Sequence, residues 1–61
     1  MEKAILEHVD FLKRMGEIYR STSHIQDELL WNDVYTTHQI IDRVLLRAGF
    51  EKTKNQRHWI L

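Results

Sequence analysis

The chain has 61 residues, nine basic and nine acidic side chains, and no cysteine. A chain this short buries only about 60% of the surface its unfolded form exposes, so its stability rests on local structure, a small apolar core or a partner chain. Disulfides and thiolate metal sites are excluded, and neutral overall charge argues against strong non-specific binding to polyanions.

An apolar fraction of 43% and a charged fraction of 30% are those of a folded globular chain. No apolar run approaches the roughly 20 residues of a membrane span, and the acidic start is not a basic leader followed by an apolar stretch. A cytoplasmic protein with no membrane association is expected. Proline is absent and glycine occurs only at Gly16 and Gly49, so regular elements joined by short turns are expected, as one unit over 1–61. The charges are not evenly spread. Residues 1–30 carry a balance of −2 and residues 31–61 one of +2.

Glu2–Tyr19 reads as a helix. Ala4, Ile5, Val9, Phe11, Leu12, Met15, Gly16, Ile18 and Tyr19 fall on one half of a helical wheel, and the other half is charged apart from Leu6. The apolar arc is wider than packing on one neighbour requires. Ile5, Val9, Leu12 and Gly16 form the edge suited to the core. Phe11, Met15 and Ile18 form the other edge, and covering about 150 Å² of such surface is worth nearly 4 kcal/mol at about 25 cal/mol/Å². A homodimer through Phe11, Met15 and Ile18 is therefore expected, the alternative being that the hairpin or the second helix covers this edge. His8 reads as a hydrogen-bonded boundary residue.

Ser23 with Gln26 has capping-box spacing, which places a second, short helix from His24 to about Asp33. Its apolar residues, Ile25, Leu29, Leu30, Trp31 and Val34, form no single stripe, and Trp31 reads as core or interface. His24, Asp27 and Glu28 share one turn but lack a fourth ligand for zinc. Ser23 beside His24 makes no catalytic triad. With no Gly-rich phosphate loop and no paired-carboxylate cleft, neither an enzyme nor a cofactor is indicated, and no metal site is expected.

Val34–Thr36 reads as an extended connector. Thr36 and Gln39 repeat the capping spacing, so a third helix opens at Thr37. It closes at Gly49, with Phe50 placed to cover Leu45 as in a Schellman motif. Ile40, Ile41, Val44, Leu45 and Ala48 form its core face; Gln39, Asp42, Arg43, Leu46 and Arg47 lie opposite. The tail Phe50–Leu61 reads as a β-hairpin with a two-residue loop at Asn55-Gln56, in which Asn55 takes the left-handed conformation. Trp59 is expected to pack at the hairpin base against Phe50. The fold class is thus mainly α with a C-terminal β-hairpin: three helices plus a wing.

The run from Thr36 to Lys54, with its Leu46–Gly49–Phe50 step out of the helix, followed by Arg57-His58-Trp59, resembles the winged helix-turn-helix superfamily. Winged modules of viral and plasmid replication proteins look similar too. The resemblance implies a short strand between the first two helices, for which Ser21–Ile25 is the only place. It also implies a small DNA-binding regulator or replication-associated module. Thr37, His38, Gln39 and Arg43 would then approach base edges, Gln pairing with adenine and Arg with guanine. Lys52, Lys54 and Arg57 would contact phosphates of duplex DNA. Two readings compete with this one. Lysines on edge strands also prevent unwanted pairing, and Asp42 would sit near phosphates. The alternative function is a protein-interaction module, such as a small viral or plasmid-type inhibitor of a host protein, favoured by the neutral charge and by Leu46 on the polar side of the third helix.

Overall fold

Three helices form, α1 (Glu2–Arg14), α2 (Thr22–Trp31) and α3 (His38–Arg47), and all three stop in the same way. The residue after each cap is left-handed: Gly16 at φ 88°, Asp33 at φ 60° and Gly49 at φ 93°. The following N–H, from Glu17, Val34 or Phe50, returns to the carbonyl of Leu12, Leu29 or Leu45 at 3.0, 2.9 and 3.0 Å. These are Schellman closures, which satisfy carbonyls that a helix end leaves free. The three leucines are buried, and Val34 and Phe50 pack against the core. The closures after α2 and α3 thus turn the chain and pin it to the interior at the same point.

The computed structural model describes residues 1–61 and corrects the expected boundaries in four places. First, α1 ends at Arg14 and not near Tyr19. Apolar residues continue at helical spacing, but Gly16 takes the left-handed turn that the period alone does not register. That early stop frees Tyr19–Arg20 to form β1, so the strand between the first helices precedes Ser21–Ile25. Second, α2 is capped by Ser21, whose Oγ accepts from the His24 N–H at 3.2 Å, and it ends at Trp31. Third, α3 is capped by Thr37, whose Oγ1 accepts from the Ile40 N–H at 3.3 Å. Neither true cap has Glu or Gln three residues on, so capping-box spacing pointed to Ser23 and Thr36 instead. Gln26 serves another purpose, donating its Nε2 to the Thr36 carbonyl at 2.9 Å and tying α2 to the start of α3.

The fourth correction is the hairpin loop. Strands β2 (Glu51–Lys52) and β3 (Trp59–Ile60) pair antiparallel, Glu51 with Ile60 and Lys52 with Trp59. This register is the one that a loop at Asn55-Gln56 requires. The reversal itself is longer: Thr53 donates to the His58 carbonyl at 2.9 Å and accepts from the Gln56 N–H at 2.8 Å. Gln56, at φ 57°, is left-handed and not Asn55. Asn55 braces the loop from inside, its Oδ1 accepting from Thr53 Oγ1 at 2.6 Å and from the Arg57 N–H at 3.0 Å.

β1 pairs with the other edge of β3, Tyr19 with Ile60 and Arg20 with Trp59, giving a three-stranded antiparallel sheet in the order β1-β3-β2. Helix–strand–helix–helix–hairpin is a winged-helix-like layout. Ile5, Val9, Leu12, Ile25, Leu29, Ile41, Val44, Leu45 and Trp59 are buried, and no polar residue is wholly enclosed with them. Leu6, on the charged half of the α1 wheel, joins this core at its margin, whereas Ala48 is left exposed. No helix is long and apolar enough to cross a membrane.

Candidate functional site

The tryptophan at the base of the hairpin organises the surface that α3 and the hairpin share. Trp59 is fully buried, so its indole N–H needs a partner. It donates to Thr22 Oγ1 at 2.9 Å, and Thr22 in turn donates to Asp42 Oδ1 at 2.7 Å. The other carboxylate oxygen of Asp42 lies 3.8 Å from Lys52 Nζ. Lys52 closes the ring by lying over the Trp59 indole, 4.9 Å from its centroid. One residue each from α2, α3, β2 and β3 thus forms a closed polar circuit over one aromatic anchor. Sequence reasoning missed Thr22 entirely; the available signal was a strand tryptophan whose N–H must be satisfied.

This circuit bears on one expected site residue, Lys52, and on Asp42, the acid that counted against DNA. Asp42 does not project alone toward a ligand, because its two oxygens are already held by a hydroxyl and an ammonium. Lys52 is half-buried and joined to Asp42 and Trp59, so it braces the wing against α3. Thr37 is occupied as a cap through its hydroxyl, though its side chain stays at the surface. His38, Gln39, Arg43 and Arg47 are exposed on α3, as are Lys54 and Arg57 in the hairpin loop. Leu46 is exposed among them.

Elsewhere, Phe11, Met15 and Ile18 stand 54%, 67% and 60% exposed. Neither the hairpin nor α2 covers them. Only Phe11 of the three lies on α1, which ends at Arg14. His8, on that helix, is a boundary residue: its Nε2 lies 3.1 Å from Glu28 Oε1, and its ring stacks on Phe11 with centroids 6.3 Å apart. Arg20 sits between Glu17 and Glu28 at 3.5 and 3.7 Å. Trp31 does not enter the core and is 78% exposed. His24 faces Ser21, with Nδ1 3.0 Å from Oγ, and no cluster of three His, Asp or Glu side chains is placed to hold a metal ion. Comparison of the chain with protein-family models, curated proteins and solved structures gives no match.

Proposed function

We propose that this chain is a winged-helix nucleic-acid-binding module, a regulator or replication-associated protein that binds rather than catalyses. It reads duplex DNA through α3 and holds phosphates through the hairpin loop. The observation that carries the reading is the capture of Asp42 by Thr22 and Lys52. Asp42 is the only acid on α3, and its charge is compensated within the fold. That leaves His38, Gln39, Arg43 and Arg47 to define the helix surface, followed by a hairpin with no acid from Lys52 to Leu61. Gln39 and Arg43 suit base edges, and Lys54 and Arg57 suit phosphates.

A symmetric dimer through Phe11, Met15 and Ile18 belongs to the same proposal. It would remove an exposed apolar edge from water and set two α3 helices at a fixed separation, as palindromic sites require. The test is titration of labelled duplex DNA at two salt concentrations. Release of counterions predicts an affinity that falls steeply with salt, with a logarithmic slope near −0.9 per phosphate contacted. Absence of binding to DNA or RNA at about 50 mM salt, where phosphate contacts are strong, would instead favour the protein-interaction reading. Leu46, exposed between Arg43 and Arg47, is the observation on that side.

A further inference from the structure

The most exposed large apolar side chain lies away from the surface that α3 and the hairpin share, at the end of α2. Trp31 is 78% exposed, Tyr35 69% and Leu30 48%. A domain that can bury only nine residues spends three large apolar side chains on a single short stretch. Tryptophan and tyrosine are the residues that most often anchor protein interfaces. Leu30, Val34 and Tyr35 also line a surface cleft of about 340 Å³ with Gln26, Asp27 and Thr36. The Gln26–Thr36 hydrogen bond ties the two sides of this cleft together, so its shape is built into the fold.

The charges around the cleft point to the chemistry of its occupant. From Ser21 to Asp42 the chain has no lysine or arginine and four acids. Glu28 faces His8 and Arg20, and Asp42 faces Thr22 and Lys52. Asp27 and Asp33 have no cationic partner within the chain, and Asp27 lines the cleft itself. The cleft is therefore lined by three apolar side chains and an unpaired acid, with Trp31 and Asp33 beside it in sequence, on a protein of zero net charge. The geometry points to a docking site for a basic amphipathic segment of another protein. A bulky apolar side chain of that segment enters the cleft beside Leu30 and Tyr35, and its flanking Lys or Arg residues meet Asp27 and Asp33. The site stands on α2 and the turn after it, so it does not depend on α3 binding DNA.

The probe is a synthetic amphipathic helix of leucine and lysine, with a leucine–glutamate helix of the same pattern as control, added to the isotopically labelled full chain and followed by NMR. The lysine peptide should shift resonances between Gln26 and Thr36 and leave the α3 surface unchanged, whereas the glutamate peptide should not bind. Trp31→Ser and Tyr35→Ser remove exposed side chains, so the fold should persist while binding is lost. Asp27→Asn with Asp33→Asn should weaken binding by about fivefold, as two rim charge pairs imply. Equal binding of both peptides, shifts that map elsewhere, or binding unchanged in Trp31→Ser would each overturn the proposal. So would a concentration-dependent dimer that Trp31→Ser disperses, since the occupant would then be a second copy of this chain.

Discussion

Thr22 Oγ1 and Asp42 Oδ1 lie 2.7 Å apart, a hydrogen bond that joins the first turn of α2 to the middle of α3. The same hydroxyl accepts from the buried indole of Trp59 at 2.9 Å, so one oxygen serves both the indole and the carboxylate. Thr22→Val keeps the shape and removes the oxygen. It should cost about 1–3 kcal/mol, the desolvation penalty of stranded polar groups. Thr22→Ser should retain most of the stability. Urea denaturation of the two variants separates these outcomes, and equal midpoints would mean that the circuit contributes nothing.

Two adjacent threonines should respond in opposite ways. Thr37 caps α3, so Thr37→Ala should lose about 1 kcal/mol. Thr36 Oγ1 is buried without a partner, so Thr36→Val should be neutral or mildly stabilising because it removes an unsatisfied hydroxyl. Thermal melts suffice here. A larger loss at Thr36 than at Thr37 would place the start of α3 one residue earlier.

The left-handed closures give a second matched pair. An added Cβ at Gly49 meets nothing within 4 Å, so the cost of Gly49→Ala is backbone strain alone, about 1–2 kcal/mol. Gly49→Val should cost more, because branching at Cβ makes positive φ harder still. Asp33 already bears such strain at φ 60°, and Asp33→Gly should relieve it, with a small net gain after the added freedom of the unfolded chain. A loss of stability in Asp33→Gly would show that its carboxylate does more than occupy a turn.

For nucleic acid, Lys54→Ala with Arg57→Ala should weaken binding to every sequence and reduce the salt slope by about two phosphates' worth. Arg43→Ala should relax preference at one base position by about 1–3 kcal/mol. Lys52→Ala should act differently. Because Lys52 braces Asp42 against Trp59, its loss should lower stability and free a carboxylate on α3, weakening binding by more than one phosphate contact alone would. Anisotropy titrations across salt, paired with melts, distinguish the two kinds of lysine.

Phe11→Glu tests the dimer. Phe11 is exposed and lies outside the core, so the variant should keep its fold. Sedimentation equilibrium of the parent chain should show a dimer that Phe11→Glu converts to the 7.4 kDa monomer. A parent chain that stays monomeric at high micromolar concentration would remove the dimer from the proposal.

Much of this architecture was determined by short-range chemistry and is therefore legible in one chain. Helical apolar periods set α1 and α3, Gly49 with Phe50 set the end of α3, and the loop at Asn55-Gln56 set the register of Lys52 against Trp59, whereas α2 was placed only by a capping spacing two residues past its true cap. Those features depend on residues a few positions apart, within reach of dihedral preference and side-chain spacing. Where two local signals competed, only the tertiary structure decided. The apolar period of α1 runs past Gly16, but the chain turns there because Leu12 is buried and Tyr19–Arg20 gains a partner in β3. Ser23 and Thr36 have the better capping spacing, yet Gln26 reaches across to the Thr36 carbonyl, and the caps fall at Ser21 and Thr37. The site was divided in the same way. Exposed Gln39, Arg43, Lys54 and Arg57 follow from position on a helix or loop, but the pairing of Asp42 with Thr22 and Lys52 spans 20 and 10 positions and comes into being only when α2, α3 and the hairpin pack on Trp59.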